Sequence, residues 1–469
     1  MIAVVGAGLG GLAAAVTLAK AGREVVVLEQ GHRAGGVATS FSRPPYTFEA
    51  SLHSVDAAGP GEPNAALLDE LGVLPRVTLR PLHGSRREVW LDTGVETDLP
   101  HGRDRWLGAL AARFPDSLTG ATALFDLAAR MHAASYAWVD DPHARPGPEA
   151  LPLMGQTAAQ AINAHVPDPD AARAVGTLAS YLGLGADQLG ALPFLVLLHG
   201  YHALGPRFPD GGSQSFTNAL VAELESHGGR IELDTPVTAI RSRRRQVRAV
   251  EAGGERPVEG VVAACSPVRV FGEMLDAREV PGRYRARLEA RTFSTSLVTL
   301  HLGVRDLAGL PDHAYESGVY GVDDPRLAVG RMTITARHLA DRSFCPSGHG
   351  VFTLSTPWPG GTTGAQPDGD TAAALIELAE RHFLPGLGER VEARSFATPQ
   401  TFARYTLAPQ GAIFGFAMTP RQSAGRALPP TTPIRGLVLA GGWVQPGAGQ
   451  TAAMLSGRQA ARALLRELG

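Results

Sequence analysis

Continuous apolar runs and alternating runs divide this chain into two kinds of segment. Ile2–Val5 and Val25–Leu28 are unbroken apolar runs dominated by β-branched residues, the pattern of parallel strands buried on both faces. Between them, Leu9–Ala21 is rich in small apolar residues and predicts a helix. Helical spacing recurs in RDRWLGALAARF (Arg103–Phe114) and TALFDLAARMHAA (Thr122–Ala134), and a long terminal helix is predicted from Gln450 onward. STSLVTLHLGV (Ser294–Val304) and GVFTLSTPW (Gly350–Trp358) alternate as strands facing a cavity would. TPVTAIRSRRRQVRAVEAGG (Thr235–Gly254) reads as a strand pair around a basic turn.

Glycines sit where the first strand meets its helix. Gly6, Gly8 and Gly11 form G-x-G-x-x-G, in which Gly6 permits the turn, Gly8 admits a pyrophosphate and Gly11 allows close helix–strand packing. The helix N-terminus, with Leu12 in its first turn, points free amides at those phosphates. The second strand ends at Glu29, eighteen positions after Gly11, where a carboxylate accepts hydrogen bonds from a ribose diol. Strand, glycines, helix, strand and acid in that order predict an adenine dinucleotide site. FAD and NAD both satisfy it.

The residues that follow separate the two. EQGHRAGGVATSF places Gln30, Arg33, Gly36, Thr39 and Ser40 beyond the acid, and the far end of the chain reads GLVLAGGWVQPGAG before its helix. With PPYTFEASLHS (Pro44–Ser54), RFPDGGSQSFTNALVAELESHGGRI (Arg207–Ile231), VVAACSP (Val261–Pro267) and TPQTFARYTLAPQGAIFGFAMTP (Thr398–Pro420), these motifs resemble the phytoene desaturase, carotenoid cis–trans isomerase and retinol saturase group, within the amine-oxidase-like flavoproteins. The resemblance covers most of the chain. It implies an α/β fold: a Rossmann-type FAD-binding domain interleaved with an α+β substrate domain. The FAD segments are then residues 1–74, 207–275 and 426–469, and the substrate segments 75–206 and 276–425. It also implies that Val237 passes the adenine, and that Gly441, Gly442, Gly449, Gln450 and Thr451 meet the flavin at the start of the closing helix. Where many relatives of the wider superfamily carry an acid after the C-terminal strand, this chain has Gly441-Gly442-Trp443, so backbone amides take over that contact.

Composition then narrows the chemistry. Of 43 lysines and arginines all but Lys20 are arginine, so the lysine that amine oxidases of the superfamily place near the flavin is missing. Neither Cys265 nor Cys345 lies in the C-terminal flavin motif, which predicts a non-covalent cofactor, and two unrelated cysteines fit a reducing cytoplasmic compartment. A net charge of −2 excludes a global nucleic-acid footprint. No metal-ligand spacing is present. The N-terminal run lacks a charged leader and is broken by glycines, unlike a signal peptide. Leu189–Leu198, the longest apolar stretch elsewhere, is about half the ~20 residues of a membrane span. A soluble protein, or one touching a membrane from one side, is expected.

Candidate chemistry lies near the flavin motifs. His53 follows the FAD loop and is the candidate for handling a proton, with Tyr405 and Trp443 expected to face the ring and Gln445 beside them. LGALPFLVLLHGYHALG (Leu189–Gly205) supplies an apolar wall, with His199 and Tyr201 as substrate-contact candidates together with Phe414. The leading expectation is desaturation of an apolar conjugated polyene, carotenoid-like or polyketide-derived, with oxygen or a quinone as electron acceptor. Cis–trans isomerisation or saturation of such a polyene, an amine or amino-acid oxidase, and a non-catalytic FAD-binding scaffold stand as alternatives. The run Arg241, Arg243, Arg244, Arg245 and Arg248 is either a solvated turn or a docking patch for an anionic membrane or an acidic carrier protein.

Overall fold

The computed structural model describes residues 1–140, 147–360 and 366–469. Two sheets organise the chain. The first has five parallel strands in the order Leu437–Leu439, Gly260–Ala263, Ile2–Val5, Val25–Leu28, Arg230–Glu232. The four strands other than Arg230–Glu232 are buried throughout, as their unbroken apolar sequences require. Strands from distant parts of the sequence thus share one sheet, with Val4 between Val262 and Val27 in register.

The opening helix, Leu9–Lys20, lies against the closing helix, Gln450–Leu468. Glycine makes that approach possible. A Cβ on Gly10 would sit 2.6 Å from the Gly441 Cα, and one on Gly457 would run into the Gly10 carbonyl. The two glycine-rich turns at opposite ends of the sequence therefore pack on each other.

The second sheet has seven strands in the order Val391–Ala397, Ser296–Val304, Gly350–Trp358, Arg331–Ala336, Glu316–Tyr320, Ser85–Trp90, Val95–Pro100. All neighbours are antiparallel except Glu316–Tyr320 and Ser85–Trp90. Val298, Leu300, Leu302, Met332, Ile334, Phe352 and Leu354 alternate onto one face and pack with Ala374, Leu375, Leu378 and Ala379 of the helix Gly369–His382. The opposite face carries Glu316, Arg331, Thr333 and Ser355. The block 75–206, read as helix-rich, does build the helices Arg103–Arg113, Leu118–Asp140 and Ala191–Leu197, but it also contributes Ser85–Trp90 and Val95–Pro100 to this sheet. SRREVW hides its strand character because Arg86 and Glu88 occupy buried positions where apolar residues would announce alternation.

Ala239–Arg243 and Gln246–Glu251 form the expected hairpin. Arg244 and Arg245 adopt φ of 54° and 55°, the mirror-image turn usually filled by Asn-Gly. The Glu279 carboxylate accepts both of their amides and holds the turn. Arg241 pairs with Glu251 at 2.8 Å.

Candidate active site

A deep cleft of ≈ 370 Å³ runs from the edge of the parallel sheet to the polar face of the second sheet. At its first end stand Gly6, Gly8, Glu29, Gln30, Gly36 and Val237. Leu12 is the first residue of the opening helix whose amide finds a backbone acceptor, Gly8 O at 2.9 Å, so the amides of the first turn remain available. A Cβ on Gly8 would meet nothing within 4 Å, whereas one on Gly11 would strike the Gly6 carbonyl. Gly8 therefore opens onto the cleft and Gly11 closes the packing behind it. Glu29 is fixed by the amides of Ala7 (2.7 Å) and Gly31 (2.8 Å), which hold its carboxylate at the end of the strand.

Gly441, Gly442, Trp443, Gly449 and Gln450 line the middle of the cleft. Both polar atoms of the Gln450 side-chain amide are buried without a hydrogen-bond partner. A buried, unpaired donor and acceptor in a cleft wall fit a ligand edge that offers both. Beyond Gln450 and Thr451, the first helix amide with an internal acceptor is Ala453, bonded to Gly449 O at 2.8 Å. The space before Gly8, the free amides of two helices and the orphaned Gln450 together fit a dinucleotide with a polar-edged ring.

The inner end of the cleft centres on Glu316. Its carboxylate meets the buried Arg86 guanidinium, accepts from Tyr181 Oη at 2.8 Å and lies 3.5 Å from His53 Nδ1. Burial alone would raise the Glu316 pKa, but Arg86, His53 and Tyr181 outweigh it and hold the carboxyl well below the usual range. Arg86 is shared with Glu88 on its own strand, and Tyr320 accepts from it at 3.1 Å. His53 Nδ1 also lies 3.2 Å from Thr335 Oγ1, and its carbonyl accepts from Tyr315 and Arg337, so the residue is fixed from both sides. Its Nε2 has no partner among the described residues. Burial raises Tyr181 and Tyr201 far above the ordinary phenol range, so both remain donors, Tyr201 to Ser54 O at 3.1 Å.

Leu297, Ala412, Ile413 and Phe414 give this end apolar walls, and Trp443 is braced edge-on by Phe416 and Phe293. Tyr405 is 65% exposed at the mouth, where its carbonyl accepts from Gln30. Tyr201 reaches the cleft from a π-helical turn, Leu198–Leu204, that continues the helix Ala191–Leu197.

Several predicted residues lie behind the lining. Leu12 is buried against the parallel sheet, and Thr451 is buried in the closing helix. Arg33 donates to Ser40 O (2.8 Å), Ser40 Oγ to the buried Glu49 (3.0 Å), and Thr39 Oγ1 to Gln214 (2.7 Å). These three side chains brace the loop carrying Gly36. His199 turns away to pack its ring, tilted by 57°, against His132, with ring centroids 4.8 Å apart. Lys20 is held outside the cleft by Glu223 and the Glu70 carbonyl. Cys265 does line the cleft, but burial pushes its thiol up to about 11, so it carries no thiolate at neutral pH.

Sequence reading missed Arg86, Tyr181, Glu316 and Arg331. SRREVW carries no alternation that would announce Arg86 as a buried strand residue. Among the described residues, no group of three or more His, Cys, Asp or Glu could hold a metal ion, and no helix is long and apolar enough to cross a membrane.

Residues 9–465 match the family described as flavin containing amine oxidoreductase. The chain is 28% identical to the hydroxyneurosporene desaturase of Cereibacter sphaeroides, covering 100% of this chain and 98% of that protein. It is 23% identical to prolycopene isomerase 2 of an Oncidium hybrid cultivar, covering 99% and 84% respectively. Among solved structures, cyclohexylamine oxidase from Brevibacterium oxydans shares the fold at a TM-score of 0.68 and 17% identity, over 100% of this chain and 99% of that one.

Proposed function

Because the chain belongs to the flavin containing amine oxidoreductase family, we propose that it is an FAD-dependent oxidoreductase acting on carbon–carbon bonds of an apolar conjugated polyene, by desaturation. The observation that carries this reading is similarity along the whole chain to a carotenoid desaturase and a carotenoid isomerase. FAD is favoured over other flavins by the glycine turn with Glu29 placed for a ribose diol. When bound, the flavin supplies the two-electron acceptor.

The chain's own residues then have separable tasks. The first-turn amides at Gly8 take the phosphates, and Gln450 with the closing helix N-terminus takes the polar edge of the ring. His53, backed through Nδ1 by Glu316, presents Nε2 to accept the proton that desaturation releases. Trp443 and Phe414 hold the apolar chain. Residues 1–74, 207–275 and 426–469 form the cofactor domain, and 75–206 with 276–425 the substrate domain. Oxygen or a quinone takes the electrons, since the chain has one dinucleotide fingerprint. The arginine hairpin is the proposed contact with an anionic membrane or an acidic carrier.

Anaerobic mixing of the oxidised enzyme with a polyene tests the reaction. Flavin bleaching with a two-hydrogen loss in product mass is expected. An unchanged mass that requires reduced flavin would replace desaturation by isomerisation, and a two-hydrogen gain would replace it by saturation. The polar face of the second sheet favours one other reading, an amine or amino-acid oxidase. That reading requires peroxide release with amines and no bleaching by polyenes.

A further inference from the structure

The strand Arg331–Ala336 sends Arg331, Thr333 and Thr335 to one face and Met332 and Ile334 to the other. Thr335 is taken up by His53. Arg331 and Thr333 instead line the cleft beside Ser355, the cross-strand neighbour of Thr333. The Arg331 guanidinium makes no ion pair or hydrogen bond among the described residues, and its Nε is buried without a partner. Asp187 acts on it through space without forming an ion pair, and Glu316 and Glu88 are both committed to Arg86. Burial therefore weighs against its charge.

A guanidinium whose Nε is buried without a partner is costly, and proteins retain one where a ligand completes it. Arginine has five N–H donors and no acceptor, so the completing group must accept. Thr333 and Ser355 extend the same surface with hydroxyls that have no hydrogen-bond partner among the described residues. On the polyene reading above, we propose that the inner end of the cleft binds an acceptor oxygen on the substrate, a carboxylate or carbonyl seated on Arg331 and Thr333. The substrate is then an apolar polyene with an oxidised end, rather than a bare hydrocarbon. Arg331 fixes how far the chain enters and so which bond lies beside the flavin site. The reaction that supplies such a substrate is an oxidation of a terminal carbon to an aldehyde or acid.

The test uses the flavin-loaded enzyme and four probes of one chain length: retinoic acid, retinal, retinol and the hydrocarbon anhydroretinol. Binding is read from the perturbed flavin absorption band. The acid and aldehyde should bind at least tenfold more tightly than the hydrocarbon. Arg331→Gln should weaken those two by about 10–100-fold, the range for losing a hydrogen bond to a charged group, and leave the hydrocarbon unchanged. Arg331→Lys, which keeps a charge without the fork, should fall between. An unaltered flavin spectrum shows that each variant is folded. Equal binding of all four probes, insensitive to both variants, would overturn the oxygen subsite and leave the polyene reading standing. A preference for the acid over the hydrocarbon that the aldehyde does not share assigns the subsite to carboxylates. Binding of none of the four would overturn the polyene reading and this inference with it.

Discussion

Alanine at Gly8 and at Gly11, made separately, should split two jobs of the same turn. Gly8 is extended at φ −70° and ψ 169°, a conformation alanine adopts without strain. Its added Cβ would meet nothing within 4 Å. Alanine is the poorer helix N-cap by up to about 1 kcal/mol, and a stiffer unfolded chain gives back about 0.4–1 kcal/mol. The stability of flavin-free protein should thus move by less than about 1 kcal/mol. The methyl instead occupies the space through which a pyrophosphate reaches the first-turn amides. At Gly11 the same methyl would strike the Gly6 carbonyl and come within 3.0 Å of Ala264 Cβ. Backbone, unlike a side-chain tip, cannot swing aside, so helix and strand must separate at a cost of about 3 kcal/mol or more. Thermal unfolding of flavin-stripped protein and flavin content after purification read the two effects. Gly8→Ala should melt like the parent and carry little flavin, and Gly11→Ala should melt several degrees lower. A full flavin complement in Gly8→Ala would refute the phosphate path, and a parental melting temperature in Gly11→Ala would refute the packing argument.

Three further outcomes are expected. His53→Ala should keep its flavin and lose turnover by about 10²–10⁴, the usual worth of a positioned proton carrier, and a loss under threefold would return His53 to a structural role. Glu29→Arg puts a cation where a diol acceptor is needed and should yield largely FAD-free protein, which the 450 nm absorbance of the purified variant checks. Burial holds His101, His132 and His338 at about 4 and His301 at about 3, so the unfolded chain binds more protons on these four below pH 6.5. Asp56, raised by burial to about 6, and the raised Glu49 and Glu88 oppose this, since each keeps a proton when folded that it releases on unfolding. Burial also holds His202 well below the ordinary imidazole value, on the same side as the other four. Stability should fall by about 1 kcal/mol or more per unit as pH drops from 6.5 to 4.5, and urea midpoints that stay level or rise over that window would contradict the sum.

The parallel sheet was legible because its physics is local. A strand buried on both faces must be apolar throughout, and a glycine turn that admits a phosphate must hold its glycines at fixed spacing. Gly6, Gly8, Glu29, Gly441 and Gln450 accordingly stand in the cleft lining. Arg33, Thr39 and Ser40 were assigned through the same motif, yet their side chains brace the loop from behind. A motif specifies where the backbone passes. It does not say which of its polar side chains turn inward, because that depends on partners such as Glu49 and Gln214 from elsewhere in the chain.

The second sheet shows the deeper limit of the same reasoning. Alternation in Ser296–Val304 and Gly350–Trp358 establishes that each strand has two unlike faces, and nothing in either strand says what covers them. The helix Gly369–His382 takes the leucines and valines, so the face left for the cleft is the one bearing Glu316, Arg331, Thr333 and Ser355. An apolar chamber is therefore only half of what the chain builds. Phe414, Ile413 and Trp443 supply its apolar wall, while the sheet supplies a floor of charged and hydroxyl groups. Arg86 satisfies Glu316 on that floor, and His53 and Tyr181 are held by the same carboxylate. A hydrocarbon alone would fill the apolar wall and leave Arg331 desolvated without an acceptor. The wall and the floor are both accounted for by one long ligand that is apolar along its length and oxygenated at its inner end.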